Sequence, residues 1–256
     1  VASPKLKVDE RFNELSSKWN ANQKLDDISF IIIKNELSED KSLQAVSTLA
    51  LAYATYSKLD KAIELLEESL PHGDANYATL YCSILYRQVN TRKLNRVIYE
   101  LANNFDTKWL TYHAAGVAYA FGKISLCNEF LDKHIRLLSN DEGREAAMKY
   151  KDEVLSDMAS AYEKSGCTSE QYELIGSIVE KIKSQHEVPS AKIEVSGDGG
   201  GSYVVDIDTD DVGMIVKMNK QLAEAICMDE RLDNCNLIAR FTPDRHKKPG
   251  VSYVYN

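Results

Sequence analysis

Asp206, Asp208 and Asp210 alternate along the segment VVDIDTDD. In an extended chain, alternate side chains point to the same side. Two carboxylates on one face could hold a hard divalent cation through oxygen ligands. Asp206 and Asp208 are therefore the candidate metal ligands. Asp210 also fits the start of a following helix, and a solvated strand edge is the ordinary reading of the other two. Asp198, in the run Gly197-Asp198-Gly199-Gly200-Gly201, does not complete a twelve-residue calcium loop. That run lacks the Lys-Ser/Thr of a phosphate loop and leads into a strand-like segment, so a hairpin connection is expected. The histidines (His72, His113, His134, His186, His246) form no H-E-x-x-H, and no G-x-S-x-G occurs. Arg245-His246-Lys247-Lys248 is a short basic turn. The cysteines (Cys82, Cys127, Cys167, Cys227, Cys235) are odd in number, widely spaced and contain no C-x-x-C, which argues against a zinc knuckle or a disulfide framework. They read as reduced thiols of a cytoplasmic protein. These residues point to no catalytic constellation, metal or cofactor.

The elements that would position any site are mostly helical. A formal net charge of −8 and the absence of a long basic stripe argue against a general nucleic-acid binder. No stretch reaches eighteen consecutive apolar residues, so no membrane span is expected, and the first twelve residues lack the apolar region of a signal peptide. The strongest signal is internal repetition. Lys24-Leu25-Asp26 falls on Lys58-Leu59-Asp60 at an offset of 34. Aromatic residues recur at Trp19, Tyr53, Tyr86, Tyr119 and Tyr162, with spacings of 34, 33, 33 and 43. Three residues before each stands a small one: Ser16, Ala50, Ser83, Gly116 and Ala159. One further back is mostly apolar: Leu15, Leu49, Cys82, Ala115 and Met158. On a helix, the small residue would admit a close neighbour, and the ring one turn later would fill the space beside it.

This phrase resembles the tetratricopeptide repeat. Leu49, Ala50, Tyr53 and Ala62 form the best copy; the third unit keeps only Ser83 and Tyr86, and the closing Pro of each unit is missing apart from a displaced Pro71. The resemblance covers about residues 8–187. It implies an α-solenoid of about five helical hairpins in a mainly α protein. The ten extra residues before Tyr162 lie in the Ala-, Lys- and Glu-rich 140–154, which predicts a longer first helix in the fifth unit. In that family the inner faces of the first helices line a channel for peptides. Carried over by position, the channel would be lined by Tyr77, Ile84, Arg87 and Gln88, then His113, Val117 and Phe121, then Ser160 and Lys164. Ser47, Leu51, Leu80 and Ile84 stand where a Lys/Asn carboxylate clamp would be, so that clamp is not expected.

The pattern changes at Pro189. Alternation around Ile193 and Val195, the run Tyr203–Ile207, an apolar stripe from Val212 to Ile226 after Thr209, and NLIARFT at 236–242 predict a small α+β module of order β-β-α-β, with a further strand at 251–255. The expected organisation is a repeat domain over 1–187 and a small α+β domain over 188–256. The expected function is a non-catalytic adaptor that binds a protein or peptide on its helical-repeat surface. The alternative is a metal-dependent enzyme or ligand-sensing domain in the C-terminal module, centred on Asp206 and Asp208. The module is also a candidate occupant of the channel.

Overall fold

A computed structural model describes residues 4–88, 91–188 and 190–244; the predicted strand at 251–255 and the basic turn at 245–248 lie outside them. Within these residues the chain is mainly helical, with a three-stranded sheet near its end. It divides into two compact units, residues 1–94 and 95–256.

The first unit holds α1 (Pro4–Asn20), α2 (Asp27–Leu37), α3 (Leu43–Thr55), α4 (Leu59–Ser69) and α5 (Ala75–Arg87). α3 is its centre: α1, α2, α4 and α5 all pack on it. Its sequence, LQAVSTLALAYAT, explains why. Small and apolar residues on every side leave few polar groups to desolvate, and Ala45, Ala50 and Ala52 are fully buried. Thr48 and Thr55 donate their hydroxyls to the carbonyls of Gln44 and Leu51, so neither buried oxygen is left bare. Asp26, Ser42 and Asp74 cap α2, α3 and α5 by accepting the N–H of the third residue on.

α6 (Thr91–Asn104) crosses the division between the units. The second unit continues with α7 (Lys108–Ala120), α8 (Ile124–Leu137), α9 (Arg144–Ser165), α10 (Ser169–His186), β1 (Ser190–Ser196), β2 (Ser202–Ile207), α11 (Val212–Cys227) and β3 (Ile238–Pro243). α9 has 22 residues against 13 in α3, α5 and α7, the lengthening that the extra sequence before Tyr162 predicts. It follows a short helical turn closed by a Ser139/Glu142 capping box and a left-handed Gly143.

The position of the phrase that is buried throughout is the apolar one, not the small one. The apolar position (Leu15, Leu49, Cys82, Ala115, Met158) is buried in all five units. The small position is fully buried only at Ala50. Gly116 and Ala159 are exposed, and a Cβ on Gly116 would touch nothing within 4 Å, so no helix approaches there. Tyr86 is likewise exposed. A second recurring feature is conformational. Asn22, Ser57, Gly122 and Gly166, three or four residues after an aromatic anchor, all have positive φ and turn the chain out of the preceding helix.

β1 and β2 pair antiparallel, with Ile193 opposite Val205 and Ser196 opposite Ser202. β2 and β3 pair parallel, with Val205 opposite Phe241. A parallel pair needs a crossover, and α11 supplies it. The order β1-β2-β3 puts β2 in the middle, where Tyr203, Val204, Val205 and Ile207 are all buried. Asp211, not Thr209, caps α11; the Thr209 hydroxyl, two residues earlier, accepts the Asp211 N–H. The secondary structure changes at residue 188, but the core does not. Tyr172, Ile175, Val179 and Ile182 of α10 share one apolar cluster with Val195, Tyr203, Val205, Ile207, Met218, Leu222 and Phe241. Each large side chain so buried contributes about 1.5–3 kcal/mol.

Candidate functional site

The predicted channel residues fall into two groups with different surroundings. In the first unit, Tyr77 and Ile84 are core residues. Tyr77 sends its hydroxyl to the Leu66 carbonyl at 3.1 Å, and Ile84 has no exposed surface. Arg87 is exposed but engaged: its guanidinium lies 3.9 Å from the centre of the Trp19 ring and donates to the Trp19 carbonyl. Gln88 donates to Asp60. A shallow depression over the α3–α4 turn is lined by Tyr53, Ser57, Lys58, Leu59, Asp60, Lys61 and Glu64, none of them a predicted channel residue.

In the second unit the corresponding face is covered by the chain's own C-terminal segment. β1 and the glycine turn pack on α9. Ser160 and Lys164 lie under Gly197, where a Cβ would run into the Ser160 hydroxyl and come within 3.0 Å of the Lys164 side chain. A Cβ on Gly201 would sit 2.8 Å from Ser165 Cβ, and its φ of 105° strongly favours glycine. The glycines expected to make a flexible hairpin thus serve a close approach to a helix. Two tyrosines fasten the segment to the end of α7. The Val195 N–H donates to Tyr119 Oη at 2.7 Å, and the buried Tyr203 hydroxyl donates to the Ala120 carbonyl at 3.0 Å. Phe121 is half-buried and packs against Gly176 of α10. Val117 is half-buried.

His113 stacks on Trp109 with ring centres 3.8 Å apart and meets the edge of Tyr112. Burial, then the neighbouring His134, pushes its pKa down to about 4. His134 is fully buried with Nδ1 3.0 Å from the Lys108 carbonyl, and burial lowers its pKa as well. Like charges meet where the glycine turn docks. Burial, then Glu153, Asp198 and Glu194, raises the pKa of Asp157 on α9.

Asp206 and Asp208 do not act as a pair. Asp206 is buried on the central strand and accepts the Thr242 hydroxyl at 2.6 Å, whereas Asp208 lies beyond the end of β2 and is exposed. The expectation of a shared solvated face fails because β3 adds a parallel neighbour whose Thr242 lies opposite Asp206. Among the described residues, no group of three or more His, Cys, Asp or Glu side chains could hold a metal ion.

The apolar run Ile28–Ile33, too short to span a membrane, reads from the sequence as part of a buried helix; it forms α2, which is buried on one side only. Phe30, Ile33 and Leu37 are buried, Phe30 stacking on Tyr56 with ring centres 4.1 Å apart. Ile28, Ile31 and Ile32 point the other way and are 73%, 55% and 43% exposed. With the exposed Asn35 they follow the i, i+3, i+4, i+7 spacing of one helix face. Asp27, Lys34 and Glu36 are exposed around them. The signal was present in the run ISFIII, which is apolar on both faces of the helix, but it reads equally as a wholly buried segment.

No helix among the described residues is long and apolar enough to cross a membrane. Comparison with protein-family models, with curated proteins and with solved structures finds no match for this chain.

Proposed function

We propose that the protein is a non-catalytic, cytoplasmic adaptor: a tetratricopeptide-like array of five helical hairpins that binds another protein through the outer face of α2. The observation that carries this reading is the isoleucine face. Three large apolar side chains stand in water on one helix whose opposite side is fully packed. Single exposed apolar residues are ordinary, but a contiguous apolar stripe with a charged rim is a common feature of recognition surfaces. The repeat reading is supported by ten successive helices over residues 4–186, by the buried position common to all five units and by the left-handed turns that follow four of the first helices. The inner-face positions on α9 are taken up by the chain itself, so they are not the proposed partner site. The reducing location is supported by the five dispersed cysteines.

Affinity capture from native lysate with the wild-type chain and with Ile28→Asp/Ile32→Asp tests this reading. The expected result is a partner held by the wild type and lost by a variant of equal thermal stability. Equal capture by both chains would overturn the assignment to α2.

A further inference from the structure

The turn between α9 and α10 and the segment between α11 and β3 meet in the second unit, and each brings one cysteine. Cys167 stands just before the Thr168 cap of α10 and is buried. Cys235 is partly exposed and packs against the apolar cluster that contains Cys167. The backbone fastens the two segments on either side of these thiols. The Asn236 N–H donates to the Ser165 carbonyl at 3.2 Å. The Gln171 side chain donates to the carbonyls of Arg231 and Asp233 at 2.9 and 3.2 Å while its oxygen accepts the Thr168 N–H. The Cys235 N–H is itself turned back to Leu232. Both side chains belong to that one cluster, Cys167 in its buried part and Cys235 packed against it. Two thiols at one apolar cluster, between segments already registered by three cross-segment hydrogen bonds, are placed so that a disulfide needs little backbone movement.

From this juxtaposition we infer that Cys167 and Cys235 form an oxidisable dithiol that closes to an intramolecular disulfide by exchange with a small-molecule disulfide. Cys235 is the entry point, because it is the less buried of the two residues; burial, then the Cys235 sulfur, keeps the Cys167 thiol protonated. The Cys235 thiolate attacks one sulfur of the small disulfide, forming a mixed disulfide and releasing one small thiolate. Cys167 then attacks the Cys235 sulfur and displaces the second small thiol, and its proton passes to a released thiolate. The protein loses two electrons and two protons, and the small disulfide gains both. The bond encloses α10, β1, β2 and α11, so it staples the C-terminal segment onto the helices that carry it. This inference is independent of the α2 reading.

The test equilibrates the intact chain in native buffers of reduced and oxidised glutathione, from reducing to oxidising ratios. Each sample is quenched in acid, and its mass and cross-linked peptides are read. The background is Cys227→Ser, which removes the exposed thiol of α11. The expected result is loss of two hydrogens, a cross-link joining residues 167 and 235, and a thermal midpoint raised by about 5 °C or more that dithiothreitol reverses. Cys235→Ser should show neither the cross-link nor the shift, while its reduced-state midpoint stays close to that of the background. Persistent glutathione on Cys235, a cross-link through another cysteine, a free Cys167 throughout the series, or a 167–235 bond with an unchanged or lower midpoint would each overturn the inference.

Discussion

The two compact units treat the apolar surface of their helices in opposite ways. In residues 95–256 the exposed side of α9 and the end of α7 are closed by a strand, a glycine turn and two tyrosine hydrogen bonds from the same chain. In residues 1–94 the inner-face side chains are settled among themselves, as in Arg87 on Trp19, while three isoleucines of α2 remain in water. A helical array can bury its surplus apolar face with its own sequence or leave it in water, and this chain does one in each unit.

The largest test of this contrast removes the internal cover. Tyr203→Ala deletes a fully buried ring and leaves the Ala120 carbonyl without its donor, so urea unfolding should show a loss of about 3–5 kcal/mol. A smaller loss, under about 1 kcal/mol, would mean that the segment is only laid on the helices. Next come the two faces of α2. Ile33→Ala should cost about 2–4 kcal/mol, whereas Ile32→Ala should move the same curve by no more than about 0.5 kcal/mol. Equal effects would erase the distinction between a packed and a free face.

Acid should weaken the second unit through its histidines. His113 and His134 are held neutral, with folded-state pKa values below the ordinary one. The unfolded chain therefore binds more protons. Their contribution is fully present above pH about 6.5 and is lost as pH falls toward 4, the value to which the His113 pKa is pushed down. His113→Phe should flatten part of that slope in a stability–pH series, and an unchanged slope would discount the His113 burial. The smallest effect concerns the like charges under the glycine turn. Asp157→Asn removes a carboxylate facing Glu153, Asp198 and Glu194 and should raise the unfolding midpoint slightly, within about 0.5 kcal/mol. A clear loss would show that the carboxylate makes a favourable contact.

Much of this architecture was legible because it is periodic. The aromatic anchors fall on every second helix from α1 to α9, the insertion before Tyr162 announced the long α9, alternation marked β1 and strand-type composition marked β2. The misreadings are long-range. Gly116 occupies the same place in the phrase as Ala50, but only Ala50 has a helix against it. Asp206 alternates with Asp208, yet its burial depends on a third strand whose direction no local pattern encodes. The glycine run shows its need for small residues only when Ser160 and Ser165, some forty residues upstream, are placed beneath it. The channel residues on α9 were located by resemblance, and what covers them could not follow from the repeats alone. The α2 face was hidden by excess: six residues apolar almost throughout do not say which side is inward.

The sheet itself is protected at both margins. Tyr119 takes the outward N–H of Val195 on β1, while the Asn219 carboxamide of α11 both donates to and accepts from the Phe241 backbone on β3, as a neighbouring strand would. Both contacts reach across the chain, and the β1 one spans 76 residues. During synthesis at roughly 5–20 residues per second, α7 leaves the ribosome several seconds before the strand that will cover it. For that interval Tyr119 and the Ala120 carbonyl lack the partners that β1 and β2 later bring. The arrival of residues 190–207 supplies them, so the last step of folding in this unit waits on a late part of the chain to be made.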